Sequence, residues 1–355
     1  MTNFWFFLLS IILVFALMKS KCSLYFPIPP CSTFNNQSGT SNLSASFRRS
    51  NPLRLKNISE SEAAERLIKG QINIDLGVAA FGVQSSLPDV QRVFYQLYGD
   101  YKLLDEASPA DFRVAVQSPK SLRRWYKPQI HFLLDEFVPF LPLPRSQAYP
   151  VLEWGMNWCM ASHMHRYLLL HGAVLEKDGK AIIFPAPPGS GKSTLTAYLA
   201  HSGWRLLSDE MTVINLETGL VHPFVRPICL KNNSIDLVKS WFPEVTISNI
   251  ARDTNKGDVA HVKPPIASID NIKQTAQVIA VVLPKYTADV MLDIYSLTKA
   301  DAFQALSDNA FNDSVLGADG FLALQKLVES TDAVEIHYND LAEVSAFLDE
   351  GQFAP

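Results

Sequence analysis

The sequence predicts an α/β fold for residues 151–350, with a smaller α+β region ahead of it over 51–150, on three observations. Short apolar runs of strand length alternate with amphipathic helical stretches through the second half. One run, residues 181–185, feeds a glycine-rich turn and then a helical pattern. The 355 residues are 48% apolar and 19% charged, the balance of an ordinary globular chain long enough to bury a sizeable core.

Residues 1–50 stand apart as an apolar leader and linker. Residues 4–18 (FWFFLLSIILVFALM) are apolar at fourteen of fifteen positions, and Lys19 and Lys21 follow. A membrane-spanning helix needs about 20 apolar residues, so the run is short, and a secretory signal would carry a basic n-region that is absent here. Three readings stay open: an upstream extension with the start at Met18 or later, an anchor, and a signal. As an anchor it would give membrane association through residues 4–18, with Lys19 and Lys21 holding the remainder on the cytoplasmic side. Residues 32–60, rich in Ser, Asn and Arg, read as a linker. The sequons at Asn36, Asn42, Asn57, Asn232 and Asn312 read as chance matches. Cys22, Cys31, Cys159 and Cys229 form no C-x-x-C pair, which argues against a disulfide scaffold or a thiolate zinc site and fits a reducing, cytoplasmic setting. A net charge of −4 gives no basic footprint, so nucleic acid is not an expected partner.

In chain order, residues 73–83 and 112–116 read as strands and 90–97 as a short helix. The proline-rich stretch 137–150 interrupts them, because proline removes a backbone donor and pushes its predecessor to extended backbone. Residues 151–166 read as a helix with Trp154, Trp158 and Met160 on its apolar faces. Strands then follow at 167–175 and 181–185, a helix at 192–201, and strands at 205–207, 211–216 and 277–283. Helices at 298–307, 319–329 and 340–349 close the chain, with a strand at 333–337 and Asn339 or Asp340 as the last N-cap.

The segment AIIFPAPPGSGKST (181–194) carries the chemistry. Gly189 and Gly191 let backbone N–H groups turn inward and approach phosphate oxygens. A helix starting at Lys192 directs its positive end at the anion. Lys192 is then placed to neutralise the β- and γ-phosphates and Ser193 to ligate Mg²⁺. The cradle so read is Ala186, Pro187, Pro188, Gly189, Ser190, Gly191, Lys192, Ser193 and Thr194. Ala186 stands where the G-x-x-x-x-G-K-[ST] motif expects its first glycine, with Pro187 and Pro188 stiffening the entry. ATP and Mg²⁺ are the expected cofactors.

His171, in LLLHGAV, precedes Lys192 by twenty-one residues; Asp209 and Glu210 follow it by seventeen and eighteen. Acids ending a strand beside such a loop can hold Mg²⁺ or position a nucleophile. The arrangement resembles the HPr kinase/phosphorylase family, and more closely its HPr-kinase-related branch (the HprK-related kinase A type). That family has an HG dipeptide before the loop, GKS, a helix, and a paired acid after a strand, matched here by Ser208-Asp209-Glu210. The resemblance spans about residues 165–265. It implies a P-loop NTPase of the phosphoenolpyruvate-carboxykinase-like type and an ATP-dependent kinase acting on a hydroxyl of a protein or peptide. By it Lys192 grips phosphate, Ser193 and Asp209 serve the metal, Glu210 accepts the substrate proton and His171 assists the transferring phosphoryl; it also admits an oligomer. The chain departs from the family at RPICLKNNSIDLV (226–238), where Cys229 and Lys231 fall near an expected magnesium carboxylate and arginine. That argues against HPr as substrate and against the reverse reaction. Arg226, Lys231, His261 and Lys263 are left as residues for gripping phosphate or peptide, against a plain solvated-charge reading. An ATP-sensing or slowly hydrolysing regulator, and a small-molecule kinase, are the alternatives.

Residues 255–258 (NKGD) match a guanine-reading motif, but polar residues 251–254 precede them where an apolar strand belongs, and no D-x-x-G occurs. His163 and His165, two apart on the expected helix, face different directions and suit no shared metal. No nucleophile elbow appears.

Overall fold

A computed structural model describes residues 53–353 apart from Pro188 and Gln352. The apolar segment 4–18, the linker to residue 52 and the sequons at Asn36 and Asn42 lie outside the described residues. No described helix is long and apolar enough to cross a membrane. Residues 53–60, expected to end a linker, are instead packed: Leu55 is fully buried and its N–H donates to the Tyr101 carbonyl at 3.0 Å.

The architecture is mixed α/β. Helix α1 (Glu60–Lys69) is capped by Ser59 and ends at Gly70 in left-handed backbone. The stretch 73–83, expected as one strand, is two: β1 (Ile72–Asp75) and β2 (Ala80–Ser85), paired antiparallel. Gly77, at φ 102°, breaks the run, and the Asp75 carboxylate accepts its N–H at 3.0 Å. A Cβ there would lie 2.2 Å from the Pro223 carbonyl oxygen, so only glycine lets this turn dock. Helix α2 (Pro88–Tyr98), with proline in its first turn, leads to β3 (Phe112–Gln117), β4 (Gln129–Leu134) and the two-residue β5 (Leu143–Pro144). They complete a five-stranded sheet in the order β1-β2-β3-β4-β5. Helix α3 starts earlier and ends earlier than expected (Ala148–His163); Pro150 fits its first turn, where no intrahelical donor is needed. His163 is its last residue and His165 lies in the following turn.

The second sheet has eight strands. β6 (Tyr167–Lys177) and β7 (Lys180–Pro185) form a hairpin, α4 (Lys192–His201) follows, and β8 (Arg205–Ser208), β9 (Met211–Asn215) and β10 (Val221–His222) come next. After them β14 (Gln277–Tyr286), β15 (Asp293–Ser296) and β16 (Asp332–Tyr338) complete it, in the order β10-β9-β6-β7-β14-β16-β15 with β8 beside β6. β14 runs parallel to both β7 and β16, whereas β6 is antiparallel to β7, β8 and β9.

Two apolar clusters cover the faces. One gathers Phe184, Leu195, Leu199, Trp204 and Ile336 with Val344 and Leu348 of α10 (Leu341–Glu350). The other sets Leu170, Ile183 and Val281 against α7 (Lys299–Asp308) and α9 (Ala318–Ser330), with the short α8 (Asp313–Leu316) between those helices. Asp340 caps α10, accepting from the Ala342 N–H at 2.7 Å. The sequon residue Asn312 is fully buried and bonded to the Tyr167 carbonyl and the Leu169 N–H, so no glycan fits there.

A third sheet, β11-β13-β12, comprises β11 (Ile228–Lys231), β12 (Ala251–Thr254) and β13 (Gly257–Val262). Helix α5 (Asn233–Trp241) joins β11 to β12, and α6 (Ile266–Asp270) follows β13. Residues 251–254, too polar to read as a strand, form one because Arg252 and Asp253 face solvent while Ala251 and Thr254 are buried. Asn255 and Lys256 are therefore the turn of a β-hairpin.

Candidate functional site

Everything in the glycine-rich turn follows from β7 ending inside the sheet and α4 starting five residues after Pro187. Ala186 is buried, and Gly189 and Gly191 take φ of 93° and 92°, left-handed backbone that lets the chain double back. Gly191 is the N-cap of α4 and no side chain caps that helix, so the first-turn amides keep their donors for a ligand. The Ser190 carbonyl accepts from the Tyr286 N–H at 2.9 Å, which pins the turn to β14. Lys192 is 8% exposed, and its ammonium donates to the Asp209 backbone carbonyl at 3.0 Å. Ser193 and Thr194, beside it on the first turn, are half-buried. Pro188 lies outside the described residues.

The acids owe their place to a break in a strand. β8 and β9 pair with the same edge of β6: Ser208 stands opposite Val174 in the register that sets Met211 opposite His171, and the register shifts in β8 just before it, between Leu206 and Ser208. Asp209 and Glu210 are the two residues between these strands, released from the ladder beside Gly172 and Ala173. The Ser208 hydroxyl accepts from the Met211 N–H at 3.1 Å and closes the kink. The HG dipeptide thus sets His171 next to Glu210. Sequence spacing of some forty residues becomes adjacency along one shared strand.

Asp209 is 6% exposed; its Oδ2 accepts from the Cys229 N–H at 2.8 Å and its Oδ1 is buried with no partner. Glu210 accepts from the Asn157 side-chain amide at 2.8 Å and stands 3.9 Å from the Lys231 ammonium. Behind it Arg226 forms a buried ion pair with Glu153 at 2.9 Å, donates to the Glu153 carbonyl and also donates to Asn157. The Tyr98 and Tyr149 hydroxyls donate to the other Glu153 oxygen at 2.9 and 2.7 Å. A polar chain therefore runs from Tyr98 through Glu153, Arg226 and Asn157 to Glu210. His261, 1% exposed, shares this small cavity with Arg226, Asp209 and Glu210, and neither ring nitrogen has a partner. Lys263 is not part of it: its ammonium pairs with Asp100 at 2.6 Å. Cys229 supplies a backbone donor, and burial pushes its thiol up to about 12.

Glu153 and Asn157 escape notice in the sequence, although they stand four apart on an otherwise apolar helix. That spacing, which puts both on one face, was the available signal.

Burial acts against every charge here, and neighbouring charges decide the outcome. Burial lowers Lys192, with Asp209 and Glu210 pulling it back. Burial raises Asp209 to about 6 despite Lys192. Glu210 is driven below the usual carboxylate range, because Lys256, Lys231 and Lys192 together outweigh its burial. His171 drops to about 3, first by burial and then by the Lys192 charge, so it is a neutral imidazole at physiological pH. Lys256, in the β12–β13 turn, rests 5.1 Å over the Trp154 ring.

Among the described residues no three His, Cys, Asp or Glu side chains form a metal cage. Magnesium bound with a nucleotide needs fewer protein ligands, since phosphates and water complete its shell. The unpartnered Asp209 Oδ1 and the half-buried Ser193 hydroxyl suit that arrangement. No protein-family model matches the chain, and no curated protein matches it either.

Proposed function

We propose that this protein is an ATP- and magnesium-dependent kinase of the HPr-kinase-like P-loop type, transferring the γ-phosphoryl group to a hydroxyl of a protein or peptide. One observation carries the reading: an uncapped helix start with a buried lysine lies 3.0 Å from the backbone of an acid pair. Phosphoryl transfer asks for little beyond positioning and charge stabilisation, and this arrangement supplies both. The amides of the turn and Lys192 hold the phosphate tail. Ser193 and Asp209 would hold magnesium, which when bound neutralises charge on the β- and γ-phosphates. Glu210, ionised and fixed by Asn157, orients the acceptor hydroxyl rather than serving as a strong base. His171, neutral, can donate a hydrogen bond to a phosphoryl oxygen without adding charge.

Calorimetry with Mg²⁺ and ATP is the direct test. Binding by the native chain and a loss of at least about 100-fold in Lys192→Ala are expected, as removal of a charge-assisted phosphate contact implies. No heat with ATP or GTP overturns the reading. A second reading, an ATP-binding regulator with slow turnover, draws support from Cys229, which stands near the place where a second metal carboxylate is expected, and from Lys231, a cation 3.9 Å from Glu210. Glu210→Gln separates the two: a kinase loses phosphate transfer to its partner yet keeps nucleotide affinity, and a regulator keeps its partner response.

A further inference from the structure

β14 and β16 run parallel to β7, so their C-terminal ends emerge on the same side as the glycine-rich turn. Tyr286 ends β14 and Tyr338 ends β16. The turn is built against both. The Tyr286 N–H donates to Ser190, and a Cβ added to Gly191 would meet the Tyr338 hydroxyl at 2.8 Å and the Tyr286 Cβ at 3.1 Å. The Tyr286 ring meets Tyr338 edge-on, with centroids 6.0 Å apart at 78°, and Tyr286 itself is 56% exposed. Tyr338 is 1% exposed, and its hydroxyl has no partner.

The acid pair lies on the opposite side of β7, beyond β6. A phosphate tail seated in the turn with its terminal group toward Asp209 and Glu210 must send its other end out over β14 and β16. We infer that Tyr286 is the platform on which a nucleoside base stacks, with the Tyr338 hydroxyl donating to a phosphate or ribose oxygen beside Gly191. An exposed ring held at a fixed angle by a buried one is a preorganised π-face, and stacking of this kind is tolerant of base identity. This rests on the phosphate-binding reading above and adds to it where the nucleoside lies.

Comparing ATP with inorganic tripolyphosphate in the full chain with Mg²⁺ separates the two ideas. The native protein is expected to bind ATP more tightly than tripolyphosphate. Tyr286→Ala is expected to weaken ATP roughly tenfold while moving tripolyphosphate by less than about twofold, and Tyr286→Phe to restore ATP binding. Equal affinity of the native chain for both ligands, or an Ala variant that weakens both alike or neither, overturns the inference and leaves the phosphate site standing. Failure of the native protein to bind either ligand overturns the phosphate site first, and the platform with it.

Discussion

Neither ring nitrogen of His261 has a hydrogen-bond partner, so protonating it would place a charge in a site with nothing to solvate it. Burial is the main reason it titrates only near 3; Glu210 opposes that, Arg226, Lys256 and Lys231 add to it, and the Tyr149 ring faces it edge-on. Below the ordinary value of 6.5 the unfolded chain takes up a proton here that the folded chain refuses until about 3. Proton uptake by the unfolded state draws the equilibrium its way, so stability falls as pH drops through that window. The slope from this residue is at most about 1.4 kcal/mol per pH unit. His171, shifted the same way, adds a second contribution of the same sign. Urea melts at pH 7 and pH 4.5 should show the loss, and His261→Gln should make it shallower; an unchanged slope assigns the effect elsewhere. At Gly191 the expectation is different in kind. Gly191→Ala adds a methyl where φ is 92° and where Tyr338 and Tyr286 already stand, so ATP binding should vanish while circular dichroism keeps the native fold.

Elements, unlike single residues, fail at their turns. Gly77→Ala would push a Cβ to 2.2 Å from a backbone oxygen that cannot swing away, and the expected cost lies toward the upper end of about 1–3 kcal/mol in a urea midpoint. The same glycine explains why 73–83 reads as one strand: Leu76, Val78, Ala79 and Ala80 around it are apolar, and only three-dimensional docking on Pro223 reveals the reversal. The segment from β7 to the first turn of α4 was legible because it is contiguous, each residue type answering to its immediate neighbours. The acid pair was legible through spacing and resemblance, although its cause, a break between β8 and β9 along β6, was not. β12 was missed because its outward residues are charged and its buried ones small. β4 was missed in the shadow of the prolines that follow it. Glu153 and Asn157 were missed for another reason: their four-residue spacing marks a face but names no partner, and those partners, Arg226 and Glu210, lie 73 and 53 residues away. Sequence patterning reports local geometry far better than a buried polar chain closed over such distances.

Across the whole molecule, that polar chain ties the five-stranded sheet's helices to the site. Tyr98 of α2 and Tyr149 of α3 hold the carboxylate that holds Arg226, and Arg226 holds the asparagine that holds Glu210. Glu153→Ala leaves a buried guanidinium uncompensated, and a cost of about 3–5 kcal/mol is expected in chemical denaturation. Far-UV dichroism and tryptophan fluorescence should report one coincident transition in the native chain, since the two sheets share this buried chain and the Gly77 contact. β6 has a parallel role, because β7, β8 and β9 all pair with it and thereby hang the glycine-rich turn, the acids and the histidine on eleven residues. Strand faces alternate with every residue, so parity along β6 is fixed while the lengths of the links between its partners are free. Two extra residues spliced into the Ser202–Gly203 bend would leave the chemistry where it is. One extra residue inside 172–176 would turn half the scaffold inside out.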